Sequence, residues 1–341
     1  MPQTAIGLML LVLAGVMNGS FTLPMKFTRN WAWENTWLSW TLFALLLFPV
    51  LLAVATVQQL GSVYRQPGAI SVALTVAAFG ASWGFSQIFL GLAVEDIGMA
   101  LALSVILGIS AAVGAIIPLL QHHRDEIFTP GDLLVLLGLA IVLAGVALCG
   151  LAGRLREQAT AHGATHTSVA KGLFCCLISG VGSAFVNLGL NAGKGLSDVA
   201  RNQGTATLWS NNAVWLPLMV AGAIPNALYC LYLMRKNRSG AKFAASGTSH
   251  YWLLGAIMAF FWFGSTVMYG IAANQLGALG TILGWPIFMS LIVLIATAWG
   301  VATGEWRHVG PRPLRMLASG VALLVIAIIV LSFSNQLLQG P

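Results

Sequence analysis

The sequence predicts an all-α membrane protein with ten transmembrane helices in two inverted five-helix repeats. Three observations predict this fold: the composition, ten apolar runs of membrane-spanning length, and a similarity between the two halves. Of the 341 residues, 58% are hydrophobic and only 7% are charged, whereas a soluble domain carries about 25% charged residues. So few charges cannot cover a soluble globule, which excludes ordinary soluble enzymes, disordered chains and nucleic-acid-binding proteins.

Ten apolar runs are long enough to cross a membrane, since a helix needs about 20 mostly apolar residues to span the hydrocarbon core. Each run is apolar throughout and does not alternate, which favours helices over the strands of a barrel. The predicted helices, numbered α1 to α10, cover residues 5–26, 36–58, 68–93, 98–121, 131–152, 168–193, 207–234, 250–273, 279–303 and 313–336.

The basic residues lie mainly on one side of this predicted bundle. With the N-terminus outside, twelve of the sixteen Lys and Arg residues lie at the cytoplasmic side. They are Lys26, Arg29, Arg154, Arg156, Lys171, Arg235, Lys236, Arg238, Lys242, Arg307, Arg312 and Arg315. The positive-inside rule therefore predicts that both termini lie outside, on the side opposite the cytoplasm.

The two halves of the chain align when one is shifted by about 179 residues, which indicates an internal repeat. The matched positions include Trp83 and Trp262, Ser86 and Ser265, and Gly91 and Gly270. We expect residues 1–160 to form the first repeat and residues 161–341 the second. Because each repeat holds an odd number of helices, the second enters the membrane with opposite polarity. Inverted repeats around a midplane site are typical of secondary transporters.

Motifs of enzymes are missing from the sequence. It contains no His-Glu-x-x-His, no glycine-rich phosphate loop and no pair of aspartates within a span, so we expect neither an enzyme nor a bound cofactor or metal. The four cysteines, Cys149, Cys175, Cys176 and Cys230, lie inside apolar runs without metal-ligand spacing. We interpret them as packing thiols.

Neutral polar and aromatic side chains are concentrated within the predicted spans. On α6, Ser183, Asn187 and Asn191 recur at four-residue steps and so share one face. The candidate substrate-binding residues are Asn18, Trp83, Gln87, Asn187, Asn191, Asn211, Trp262, Tyr269 and Trp285. Two interpretations stay open, hydrogen bonding between helices and the lining of a cavity. Neutral donors and acceptors beside flat apolar rings suit an uncharged polyol such as a sugar.

Carboxylates are scarce in the predicted spans. A proton-coupled carrier needs an acid that it can alternately protonate and expose, yet Asp and Glu are missing from every mid-span position. Glu34, at the start of α2, is the candidate for proton coupling, and Lys26, at the end of α1, is its predicted partner. A structural cap is the alternative role for Glu34. Glu95 and Asp96 are assigned to the turn between α3 and α4.

Glycines recur at the small-xxx-small spacing that permits close helix approach. The pairs are Gly15 and Gly19, Gly80 and Gly84, Gly189 and Gly193, and Gly280 and Gly284, on α1, α3, α6 and α9. These helices are either the ones that move against each other or simply tightly packed ones.

Four stretches resemble the L-rhamnose–proton symporter family of the drug/metabolite transporter superfamily. They are MNGSFTLPMKFTRNWAWENTW, FGASWGFSQIFLGLAVEDIGMALALSVILG, KGLFCCLISGVGSAFVNLGLNAGK and GEWRHVGPRP. The acidic-then-glycine spacing at Glu126 and Gly131, and again at Glu305 and Gly310, also looks like the loop pattern of that superfamily, and we expect both glutamates to fix their loops. The resemblance implies the ten-helix inverted repeat and proton-driven uptake of L-rhamnose or a related deoxy sugar.

The chain also departs from the family pattern. At 279–285 it reads LGTILGW, where the pattern has a Tyr-Asp pair, so proton coupling does not follow from the resemblance alone. One alternative is a proton-independent carrier or exporter of another small metabolite. A second is a non-transporting sensor or assembly partner, against which the polar lining stands. The expected partners are a small neutral sugar, protons and the lipid bilayer.

Overall fold

A computed structural model of the protein describes residues 3–122, 129–160, 168–307 and 309–338. Within these ranges, ten helices are long and apolar enough to span a membrane, which confirms the predicted number. They are α1 Gln3–Ser20, α2 Trp33–Thr56, α3 Ala69–Ile97, α4 Met99–His122, α5 Pro130–Thr160, α6 Val169–Ala192, α7 Asn212–Lys236, α8 Tyr251–Gln275, α9 Gly280–Ala302 and α10 Pro311–Leu338.

The ends of the helices differ from the predicted ones in ways that matter for charged residues. Helix α2 begins three residues earlier than predicted, so Glu34 lies in its first turn. Helix α3 continues to Ile97, so Glu95 and Asp96 lie in its last turn and their assignment to a connecting turn is wrong. Gly98 alone separates α3 from α4, with a φ of 85° that glycine adopts without steric cost.

The segment between α6 and α7 also folds differently from the prediction. A separate short helix, Lys194–Asn202, follows α6. Helix α7 begins only at Asn212, five residues later than predicted, so Asn211 immediately precedes this helix and is not part of it.

The outer surface of the bundle is apolar. Ile70 and Leu74 of α3, Leu228 of α7, and Ile329 and Phe333 of α10 are each more than half exposed. Exposed apolar side chains on this scale need a surrounding hydrocarbon phase. The four cysteines are buried and free, as predicted.

The helices pack in a pattern that repeats between the halves. Helix α1 packs on α8 and α9, and α6 packs on α3 and α4. Helix α2 packs on α7, α4 on α9, and α5 on α10. This pattern is unchanged when each helix is exchanged for the one five positions away, which is what two five-helix repeats predict. The inversion of the repeats and their division at residue 160 stay predictions.

Glycines set the closest approaches between helices. A Cβ added to Gly80 or Gly84 would lie 2.0 or 2.3 Å from a carbonyl oxygen of α7. On α1, a Cβ at Gly15 or Gly19 would lie within 2.7 Å of a side chain of α9. The predicted close approach is therefore confirmed at these four positions. At Gly284 the nearest atom would be 3.5 Å away, an ordinary contact, so close approach is not required there.

Gly80→Ala is expected to destabilise the bundle, because the new methyl group meets the backbone of Leu218 rather than a side chain that can turn away. Overpacking of this kind costs about 1–3 kcal/mol. Gly91→Ala on the same helix is the matched control, since a Cβ there has no neighbour within 4 Å. Unfolding in detergent measures both variants, and equal stability of the two would contradict the assignment of Gly80 to a close helix contact.

Candidate functional site

Two tryptophans from matched positions of the two halves stack at the middle of the bundle. Trp83 lies halfway along α3 and Trp262 lies halfway along α8. Their ring centroids are 5.3 Å apart and their planes differ by 20°. Ser86 Oγ donates to the Trp83 carbonyl at 2.7 Å, and Ser265 Oγ donates to the Trp262 carbonyl at 2.6 Å. The positions aligned by the 179-residue shift therefore share one local geometry and meet at one place.

Three tryptophans of α2 extend this pair to the end of the helix. Trp40 contacts the edge of Trp262 at 5.1 Å, Trp37 lies 4.6 Å from Trp40, and Trp33 stacks on Trp37 at 5.1 Å. Spacings of three and four residues place them on one helix face. We call Trp33, Trp37, Trp40, Trp262 and Trp83 the tryptophan ladder. It runs from Trp33, which is 39% exposed, to Trp83, which is 5% exposed.

The sequence analysis did not single out the α2 members of the ladder. The available signal was the spacing of the tryptophans in WAWENTWLSW. Such spacing also fits an ordinary buried helix face, so only the contact with Trp262 distinguishes the two interpretations.

Two predicted polar residues lie beside the stacked pair. Asn18 Nδ2 donates to Ser265 Oγ at 2.8 Å, which joins α1 to α8. Gln87 Nε2 lies 3.5 Å from Ser183 Oγ and 3.4 Å from Ser86 Oγ. Both distances exceed the usual range for hydrogen bonds. The Gln87 amide is therefore weakly held, and it can be redirected at little cost.

Asn187 forms a saturated junction between four helices. From α6, its Nδ2 atom donates to the Gly114 carbonyl of α4 at 2.7 Å and to the Thr281 carbonyl of α9 at 2.9 Å. Its Oδ1 atom accepts a hydrogen bond from the Tyr269 hydroxyl of α8. Asn187 is fully buried. Interhelical bonding is therefore the observed role of this amide.

Tyr269 and Trp285 continue this junction. The Tyr269 ring stacks on Phe288 at 5.2 Å and meets the edge of Trp285 at 5.2 Å. Trp285 Nε1 donates to the Ser110 carbonyl at 3.0 Å. A Cβ on Gly114 would lie 2.4 Å from the Trp285 ring, so α4 depends on a glycine to accommodate it. Trp285 is thus both packed and satisfied.

The remaining two asparagines lie at helix ends. Asn211 Nδ2 donates to the Gly270 carbonyl at 2.8 Å, and its Oδ1 atom accepts from Ser197 Oγ at 2.7 Å. Asn191 makes two longer contacts of 3.3 Å, with Gln121 and with Thr281. We call the junction formed by Asn187, Tyr269, Trp285, Asn191 and Asn211 the amide layer.

The structure therefore divides the nine predicted binding residues into two groups. Asn18, Gln87, Trp83 and Trp262 gather at the middle of the bundle, and the other five form the amide layer. A cavity of about 580 Å³ lies between α3 and α6, but its lining is mostly apolar and includes none of the nine. Trp83 is 5% exposed, so little of its ring surface is open to a ligand in this structure.

Glu34 is buried and held by neutral donors. Ser239 Oγ donates to Glu34 Oε1 at 2.5 Å, and Asn237 Nδ2 donates to the same atom at 3.1 Å. Asn35 Nδ2 in turn donates to the Ser239 carbonyl at 3.1 Å. These bonds fix the connection between α7 and α8 onto the first turn of α2, where the helix dipole favours a negative charge.

The predicted pairing of Lys26 with Glu34 is wrong. Lys26 Nζ lies 2.9 Å from Glu305 Oε1, and Arg156 Nη1 lies 2.7 Å from Glu305 Oε2. Arg156 also lies over the Trp306 ring at 5.0 Å. Glu305 thus ties the end of α5 and the segment after α1 to the connection after α9, which agrees with its predicted loop-fixing role. Glu126 lies outside the described residues.

The two cations set the charge state of Glu305. Partial burial raises the pKa of its carboxyl group, but the hydrogen bond and charge of Lys26, together with the Arg156 guanidinium, outweigh burial. The pKa of Glu305 therefore lies below its ordinary value.

The contacts of Glu34 and Glu305 lie on the side where the connections after α1, α7 and α9 emerge, which we call the basic face. Lys171, at the start of α6, pairs with Asp96 at 3.2 Å on this side as well. Basic residues that the sequence assigns to one side of the membrane thus meet their partners on one side of the bundle.

Comparison with known proteins gives a match over nearly the whole chain. The family model described as L-rhamnose-proton symport protein (RhaT) matches residues 3–335. Proteins named L-rhamnose-proton symporter are similar throughout. The one from Pectobacterium atrosepticum is 28% identical over 319 residues, covering 90% of this chain and 91% of the relative. Those from Mannheimia succiniciproducens and Escherichia coli are 28% and 26% identical at the same coverage of both chains.

Asn187→Ala is expected to lower the free energy of unfolding by about 2 kcal/mol, because it removes three interhelical hydrogen bonds of roughly 0.6–1 kcal/mol each. Asn191→Ala on the same helix face removes only long, partly exposed contacts and should cost less than about 0.5 kcal/mol. Unfolding of both purified variants in detergent tests this ranking. A loss at Asn191 as large as that at Asn187 would contradict it.

Glu305→Gln is expected to lower stability at neutral pH by up to about 1 kcal/mol, since the ion pairs are partly exposed and screened by solvent. The lowered pKa means that this contribution is fully present above the ordinary carboxyl pKa. It is lost as the pH falls through the folded-state value. Thermal unfolding of both proteins across this range measures the difference, and a difference that grows on acidification would reject the ion-pair assignment.

Proposed function

Because this chain belongs to the L-rhamnose-proton symport protein family, a family of transporters and not of enzymes, we propose that it takes up L-rhamnose or a related deoxy sugar together with protons. Transport proceeds by alternating access of a central site to the two sides of the membrane. Family membership does not favour the alternative of a proton-independent exporter, nor that of a non-transporting sensor.

The stacked Trp83–Trp262 pair is the observation that carries this proposal. The pair lies halfway along its two helices, and its members come from equivalent positions of the two halves, Trp83 from α3 and Trp262 from α8. The apolar face of a sugar stacks on indole rings. Neutral amide side chains form hydrogen bonds with the sugar hydroxyl groups and carry no charge that would attract ions.

The nine candidate residues take two roles in this proposal. Trp83 and Trp262 stack on the sugar, while Asn18 and Gln87 exchange their present contacts for sugar hydroxyls. The amide layer, made of Asn187, Tyr269, Trp285, Asn191 and Asn211, closes the side opposite the basic face when its hydrogen bonds are made. It opens when the two five-helix halves rock against each other.

Glu34 is the proposed site of proton coupling. It is 3% exposed, and its nearest hydrogen-bond partners are the neutral Ser239 and Asn237. Among the described residues Glu34 forms no ion pair, in contrast to Glu305, although the charge of Lys242 acts on it from the connection after α7. Lys26, the second predicted coupling residue, takes no part in the proton step of this proposal, because it pairs with Glu305 and fastens the connection after α9.

The proposed orientation follows from the basic face. Twelve of sixteen Lys and Arg residues lie on the side assigned to the cytoplasm, and the positive-inside rule then places both termini in the periplasm of a bacterial inner membrane. In this orientation Glu34 faces the side on which protons are released after uptake.

Sugar-induced alkalinisation of a lightly buffered cell suspension tests the proposed function. L-rhamnose is expected to raise the external pH in cells expressing the wild type, because each sugar enters with protons. Glu34→Gln keeps the hydrogen-bonding shape but cannot lose a proton. It should abolish the pH rise while sustaining sugar counterflow in liposomes.

Glu305→Gln is the matched control on the same face and should preserve the pH rise. A rise that survives Glu34→Gln would move the proton site elsewhere. Entry of radiolabelled sugar without any pH change would contradict proton coupling. Neither entry nor pH change across a panel of neutral sugars would reject the proposed substrate class.

A further inference from the structure

One donor in the tryptophan ladder is buried without an acceptor. Trp40 is 2% exposed, and its Nε1–H has no hydrogen-bond partner among the described residues. Trp37 donates to Asn226 and Trp299 donates to Ser20, whereas Trp215 of α7 is likewise buried without a partner among the described residues. Within the part of the chain that the structure describes, only Trp40 combines a buried, unpartnered N–H with a ring contact to Trp262 of the stacked pair. A buried N–H without a partner is costly, since burial removes the water that would otherwise bind it.

The neighbours of Trp40 form an aromatic environment at the edge of the stacked pair. Trp262 meets it edge-on at 5.1 Å, Trp37 lies at 4.6 Å and Phe21 at 6.3 Å. The Trp40 ring, which carries the unpartnered N–H, therefore contacts the Trp262 ring that is proposed to stack on the sugar. Stacking rings beside a free donor match a sugar, which presents C–H groups on one face and hydroxyl groups at its rim.

The helix around Trp40 is also irregular. The buried hydroxyls of Ser39 and Thr41 on either side likewise have no partner among the described residues. Immediately afterwards α2 widens to a π-helical turn at Leu42–Leu47. Pro49 has no N–H to donate to the carbonyl of Leu45, four residues earlier, as a regular α-helix requires, and this accounts for the wider turn. Such turns are frequent at functional sites.

We infer that Trp40 is a specificity-determining residue that donates its indole N–H to one hydroxyl group of the transported sugar. This inference rests on the proposed function and deepens it. The sugar ring enters between Trp40 and the stacked pair and replaces ring contacts with contacts to its own C–H face. The hydroxyl then supplies the acceptor that the protein does not provide. A sugar lacking that hydroxyl leaves the N–H unpaired and is rejected.

Trp40→Phe separates this role from packing. The phenyl ring keeps most aromatic contacts but has no donor, so affinity for L-rhamnose should fall about tenfold. The free energy of unfolding should fall only by the cost of the smaller ring, because the N–H that is removed makes no hydrogen bond in the free protein. Trp31→Phe is the matched control. Trp31 is also buried with an unpartnered N–H, but its ring contacts are with residues such as Phe243 and Tyr251 at the basic face.

Binding of L-rhamnose and of its analogues that each lack one hydroxyl is measured by calorimetry on the purified full-length proteins. For the wild type, the analogue without the hydroxyl that Trp40 binds should bind about tenfold more weakly than L-rhamnose, while analogues without the hydroxyls that Asn18 and Gln87 bind should lose affinity equally in the wild type and in Trp40→Phe. For Trp40→Phe, that analogue and L-rhamnose should bind alike, and Trp31→Phe should retain the wild-type ranking.

Several results would overturn the inference. Unchanged L-rhamnose affinity in Trp40→Phe, or an equal loss in Trp31→Phe, would assign Trp40 to packing alone. Should Trp40→Phe fail to fold, the wild-type panel still decides, because equal binding of all analogues rejects a donated hydrogen bond. If the wild type binds L-rhamnose but ranks the analogues alike, only this inference fails. If it binds no neutral sugar, the proposed function fails as well.

Discussion

Water is excluded from the interior of a membrane-spanning bundle, so a buried polar group must find its partner within the protein, and an asparagine that reaches beyond its own helix finds it on neighbouring ones. The amide layer follows from this constraint, because Asn187 alone satisfies acceptors on α4 and α9 and receives a donor from α8. Against this background the unpartnered indole of Trp40 is notable because its ring contacts the stacked pair. The same shortage of water that makes Asn187 structural makes an unsatisfied donor costly, and therefore suited to a ligand.

Features written along the chain could be predicted from the sequence. The ten spans follow from apolar runs, and the equivalence of Trp83 and Trp262 follows from the shift that aligns them, although their stacking on each other was not predicted. The helix ends were harder to predict, since α3 continues through the charged Glu95 and Asp96 and ends only at Gly98, whose φ is positive. A charged residue can end an apolar run without ending a helix, because the last turn leaves the hydrocarbon core.

Contacts between distant segments could not be predicted. Proximity along the chain favoured pairing Lys26 with Glu34, yet the lysine finds Glu305, which is 279 positions away. The reason is that Glu34 already accepts from Ser239 and Asn237 on another connection. Likewise, the sequence showed polar residues on several spans but not which amides were already satisfied. Whether an amide side chain has all its hydrogen bonds depends on backbone carbonyls of other helices, which come within reach only when the helices pack closely.

The two ends of the bundle differ in what opening costs. On the side of the amide layer, separating the helices breaks several hydrogen bonds that the interior of the bundle alone does not replace. Along the tryptophan ladder, separation breaks ring contacts and the hydrogen bond from Trp37 to Asn226, and a sugar's C–H face restores much of the ring-contact energy. A sugar therefore lowers the cost of opening the ladder more than the cost of opening the amide layer. Within the proposed cycle, the hydrogen bonds broken when the amide layer opens are not replaced by the sugar. Water that enters from that side of the membrane replaces them.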